Sequence, residues 1–137
     1  MLVELTKPSE NVLLEFGGAT ETVLVEDGAA IKYLSNNADP GLGISWKDEF
    51  FDDSSWLSGT YGVGYEIGAG GVTNLVSTAV PQDTFSVYTR TTFSIADITQ
   101  VTNLFIGADY DDGYVAWING QEVYRSPQMP SATSLPG

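Results

Sequence analysis

Residues 103–125, NLFIGADYDDGYVAWINGQEVYR, decide how the rest of the chain is read. Leu104 to Gly107 and Tyr114 to Ile118 are rich in β-branched and aromatic residues, and acidic and glycine turn residues part them, so both are predicted as strands. Asn119-Gly120 then predicts a two-residue type I′ hairpin turn, which requires φ > 0 at both central positions. Val115 and Trp117 alternate with Tyr114, Ala116 and Ile118, so both faces of the second strand carry apolar side chains. That pattern predicts a central strand covered on both sides.

A chain of 137 residues fits one domain with a real core. Five Lys and Arg stand against eighteen Asp and Glu, a formal net charge of −13. Nucleic acid is not an expected partner, because binding phosphates needs clustered bases, and an anionic membrane surface is disfavoured for the same reason. The acidity favours solubility, divalent cations and tolerance of salt. Without cysteine or histidine, the chain cannot build Cys/His zinc sites, thiol nucleophiles or Ser-His-Asp triads. No apolar run approaches the roughly twenty residues of a membrane span, and MLVELTKPSENVLLEF lacks the basic and cleavage regions of a signal peptide.

Along the chain, strand and turn signals dominate. Asn11–Phe16 and Glu21–Glu26 flank Gly17-Gly18-Ala19-Thr20 as a predicted hairpin, and Ala30–Leu34 follows as a third run. Residues 35–43 read as loop around Pro40-Gly41. One helical turn is expected near Asp52–Ser55, capped by Asp52 or Asp53. Within the Gly/Ser/Thr-rich stretch 57–83, strands are expected near Gly62–Ile67 and Asn74–Ala79. Phe85–Ile95 alternates over the longest run, with Phe85, Val87 and Thr89 opposed to Tyr88, Arg90 and Thr92. A turn of helix is expected over Ala96–Val101, and Ser126–Gly137 reads as loop or linker.

Short strands separated by turns predict an all-β antiparallel sandwich. The ordered motifs FDDSSW (51–56), YGVGYE (61–66), VYTRTTFSI (87–95) and DDGYVAWINGQEVYR (111–125) resemble a galactose-binding-like jelly-roll domain. They are similar to copies appended to secreted bacterial multidomain proteins and to the sugar-binding domain preceding the catalytic barrel of family 2 glycoside hydrolases. The resemblance implies a noncatalytic carbohydrate-binding or substrate-positioning module, extracellular or at the cell surface. It sets 1–22 as an N-terminal strand or preceding segment, 23–126 as the jelly roll and 127–137 as linker. The family continues with further strands, so either the chain is a fragment, or Asn11–Phe16 fills the empty sheet position, or another segment does. Strand pairing with the rest of its own protein or with a second copy is expected on that ground.

Trp56 reads as core, with Asp52 and Asp53 fixing the turn before it. Arg90 is expected to pair with Asp109, Asp111 or Asp112, because an unpaired buried charge is costly. Those three carboxylates suit structural calcium, although Asp111-Asp112-Gly113 also reads as an ordinary turn. An EF-hand does not explain them: counted from Asp109, positions six and twelve are Tyr114 and Gly120. In the family, a structural calcium near the termini makes Asp39, Asp52 and Asp53 rival ligands. Glu66, Asp111 and Glu122 are the carboxylates to weigh for glycoside hydrolysis, which is disfavoured. Trp46, Tyr61, Tyr65, Glu66 and Tyr110 are the candidate sugar contacts, rings for the C–H face of a sugar and a carboxylate for its hydroxyls. The alternative is a spacer or adhesion domain with no ligand of its own, stiffened by calcium.

Overall fold

The computed structural model describes residues 3–4, 21–67 and 74–131. Its regular structure is almost entirely β: β1 (Val3–Glu4), β2 (Ala30–Asn36), β3 (Leu57–Thr60), β4 (Val63–Gly64), β5 (Thr78–Ala79), β6 (Ser86–Arg90), β7 (Asp109–Tyr110), β8 (Val115–Ile118) and β9 (Gln121–Arg125). Among the described residues helix is confined to two 3-10 turns, Ser45–Lys47 and Ile98–Gln100. The second falls within the expected 96–101, and Asp97 caps it by accepting from the Thr99 amide. At 52–55 the chain makes a turn and not a helix. Asp52 Oδ1 accepts from Ser54 N at 3.0 Å, and Trp56 N donates to Asp53 O at 3.0 Å.

The strands form a four-stranded sheet in the order β5-β4-β1-β7, a three-stranded sheet β3-β2-β6, and the hairpin β8-β9. All pairs are antiparallel except β4 with β5. The three-stranded sheet packs on both faces, because successive side chains on a strand point opposite ways. From β2 and β6, Ile31 and Val87 enter a core with Tyr61, Val63 and Val80, and Val25, Ala29, Tyr33 and Tyr65 pack around it. Val63, 1% exposed, is its most enclosed apolar residue, and burying it contributes about 1.5–3 kcal/mol. On the other face Tyr88 meets Trp46 and Trp56 at centroid distances of 4.7 and 6.3 Å, and Trp46 meets Trp117 of β8 at 5.1 Å. Aromatic rings therefore tie the hairpin to the sheet.

Two glycines set close approaches. A Cβ on Gly59 would lie 2.6 Å from Thr78 Oγ1. That hydroxyl bridges β3 and β5 by accepting from Thr60 N at 2.8 Å and donating to Thr60 O at 2.7 Å. A Cβ on Gly113 would lie 2.8 Å from Ser126 Oγ, which accepts from Tyr114 N at 3.1 Å.

The expected Asn-Gly turn is present: Ile118 pairs with Gln121, and Asn119 and Gly120 have φ of 48° and 80°. Several expectations need correction. Residues 104–107 form no strand. Leu104, Phe105 and Ile106 are 50%, 82% and 43% exposed, and strand propensity alone cannot hold a segment whose backbone groups find no neighbour. Among the described residues β8 pairs only with β9, so it is half of a hairpin and not a central strand. Glu21–Glu26 forms no strand either. The long run over 85–95 is a strand only from Ser86 to Arg90, where the ladder with β2 ends at the Lys32–Arg90 pair. Between Gly62 and Ile67 only Val63–Gly64 is strand, and between Asn74 and Ala79 only Thr78–Ala79. The N-terminal segment seen in a sheet is Val3–Glu4, between β4 and β7; the expected strand 11–16 and its loop 17–20 lie outside the described residues.

Candidate functional site

Cross-strand register assembles a groove that holds both a lysine and an arginine. Lys32 on β2 lies opposite Arg90 on β6 and Ser58 on β3, so the three side chains project from one face. Lys32 Nζ donates to Ser58 Oγ at 3.0 Å. Arg90 Nε donates to Asp53 at 2.8 Å, and its Nη1 donates to the carbonyls of Trp46 and Asp48. Its guanidinium also lies 5.3 Å from the centroid of Phe51. This one side chain fastens the 46–53 loop to the sheet. The acidic partner expected at 109–112 is replaced by Asp53, because β6 runs beside that loop.

Between Arg90 and Lys32 lies an open groove of about 380 Å³, completed by Gly59, Thr91 and Thr92. A separate depression of about 510 Å³, against residues 23–30 and with Glu26 and Asp27 in its wall, borders it at Ala30, Thr91 and Thr92. Lys32 and Arg90 are two of the five bases in the chain. With Asp53 as the acid in the wall, the groove carries net positive charge on a strongly negative protein.

The candidate residues named from sequence fall into three separate packing groups. Tyr61 (6% exposed) and Tyr65 belong to the core, so Tyr61 has no face for a ligand; burial raises its phenol pKa, and a hydrogen bond with Thr89 opposes that shift. Glu66 follows Tyr65, half-buried. Trp46 packs among Trp56, Tyr88 and Trp117. In that cluster Trp117 Nε1 is buried without a hydrogen-bond partner among the described residues, and Lys47 Nζ lies 5.8 Å from the ring centroid. Tyr110 packs against Tyr114 at 4.7 Å with the rings tilted by 57°, and Tyr114 stacks on Tyr124 at 4.9 Å. Desolvation first, and then mutual repulsion of the phenolates, raise the pKa of Tyr110 and Tyr114.

The acidic candidates are engaged in turns. Asp111 Oδ1 accepts from Asp112 N at 2.9 Å, Asp112 has φ 69°, and Asp109 lies on β7. Asp39 Oδ1 accepts from Gly41 N at 2.8 Å. Among the described residues no group of three or more carboxylates is placed to hold a metal ion. Where carboxyl pKa values shift, they fall. Asp52 and Asp97 are lowered by hydrogen bonds from Ser54 and Thr99, and Glu122 by its bonds from Arg125 at 2.7 and 2.8 Å. Glu122 is thus tied to its own hairpin.

Lys32, Ser58, Thr91 and Thr92 escape a sequence reading that looks for rings and carboxylates. A lone base in AIKYL, in a base-poor chain, is the signal that marks Lys32. Comparison with family models, with curated proteins and with solved structures finds no match.

Proposed function

We propose that this chain is a noncatalytic carbohydrate-binding or substrate-positioning module of galactose-binding-like jelly-roll type, carried by an exported multidomain glycan-active protein, and that the groove over β2, β3 and β6 takes the sugar. The observation that carries this reading is Lys32, whose ammonium bonds a neutral hydroxyl while Arg90 beside it is held by Asp53. Lys32 and Arg90 donate, Asp53 accepts, and the hydroxyls of Ser58, Thr91 and Thr92 do both. That is the mixture a ring of alternating hydroxyls requires.

A glycan array probed with the wild type, Lys32→Met and Ser58→Ala tests it. Binding to a defined set of sugars is expected, weakened about tenfold or more in Lys32→Met, in keeping with loss of a charge-assisted hydrogen bond. Silence on the array, or binding indifferent to both substitutions, overturns it. The second reading, a spacer or adhesion domain stiffened by calcium, draws on the structural use of Arg90 as a loop clamp. A melting temperature raised by calcium and restored by EDTA, with a silent array, would select it.

A further inference from the structure

Residues 98–108, ITQVTNLFIGA, contain no charge, although the chain as a whole carries −13. Ile98, Leu104 and Phe105 are 74%, 50% and 82% exposed. Beyond the 3-10 turn, residues 102–107 have no hydrogen-bond partner among the described residues. The run leads directly into β7, which is the end strand of its sheet among the described residues. An apolar segment with unused backbone groups, continuous with a sheet edge, is a template for strand addition. Its flanks identify the occupant: Asp97 stands on one side and Asp109, Asp111 and Asp112 on the other. A second copy paired antiparallel about Asn103 would set Asp97 against Asp109, and like charges opposed across strands destabilise the pair. A strand with bases at its ends is matched by the same flanks.

We propose that residues 101–110 bind an extended partner segment, apolar at its centre and flanked by Lys or Arg, which adds to β7 as a new edge strand. The test uses fluorescence anisotropy with three labelled synthetic peptides. One alternates valine and threonine between paired lysines, the second carries the same centre between paired glutamates, and the third carries a glycine-serine centre between paired lysines. The first is expected to bind about tenfold or more tightly than either other peptide, with binding lost in Phe105→Asp and in Thr102→Pro. Both positions are exposed, so far-UV circular dichroism should report an unchanged fold. Equal binding of both lysine peptides would reduce the effect to bulk charge and overturn the proposal. So would no binding at all, or a wild-type dimer in sedimentation that Phe105→Asp dissolves.

Discussion

Replacing Arg90 with Met removes the guanidinium that lies over Phe51 while keeping an unbranched apolar side chain. The Arg90 and Asp53 side chains are 16% and 28% exposed, so water screens their pair only in part. A hydrogen bond involving a charged group contributes about 1.5–3 kcal/mol, and the lower end applies to this half-wet pair. The Trp46 and Asp48 carbonyls lose a shared donor, which adds about 1 kcal/mol for the less exposed of the two. The expected loss is about 2.5 kcal/mol, equivalent to a fall in melting temperature of roughly 8–10 °C for a domain of this size. All three tryptophans, Trp46, Trp56 and Trp117, lie in the aromatic cluster beside the clamp, so intrinsic fluorescence during urea unfolding reads the effect directly. A double-mutant cycle between Arg90 and Asp53 should show coupling of about 1 kcal/mol or more, and one between Arg90 and Asp111 none. A loss below 1 kcal/mol in Arg90→Met, or coupling to Asp111 in place of Asp53, would refute the clamp.

Gly113→Ala should cost about 1–3 kcal/mol, because the added methyl meets Ser126 Oγ, 1% exposed, and Met129; a melting curve unchanged from wild type would contradict the packing there. Acid should weaken the fold in a defined window. The folded pKa values of Asp52, Asp97 and Glu122 lie below their unfolded values, so their contribution is complete above the carboxyl range and is lost as pH falls through about 4 and below. In alkali the sign reverses. The raised phenols of Tyr61, Tyr110 and Tyr114 stabilise the fold below the unfolded tyrosine pKa, and that contribution is lost as pH rises past about 10. Ultraviolet titration should show these phenols ionising late and together with unfolding.

The parts of this fold that local chemistry dictates are legible in the sequence. Asn119-Gly120 can hardly be anything but a type I′ turn, and Trp56 behind two aspartates is a core ring behind a turn. Register is not legible in that way. Nothing local to Arg90 says that its neighbours across the sheet are Lys32 and the 46–53 loop, and the densest acids in the sequence, at 109–112, point elsewhere. The 104–107 run shows the opposite failure, since strong β propensity there meets no neighbouring strand among the described residues. The groove is hidden for a related reason: Lys32, Ser58 and Arg90 come from separate strands and become neighbours only through pairing.

Sugar binding at the Lys32 groove is most directly tested by two-dimensional NMR of the 15N-labelled protein, titrated with common neutral and acidic monosaccharides to tens of millimolar. The account predicts saturable shifts at the amides of Lys32, Ser58, Thr91 and Thr92 for at least one sugar, and their loss in Lys32→Met. Shifts confined to the Tyr110–Tyr124 stack, or no saturable shift with any sugar, would contradict it.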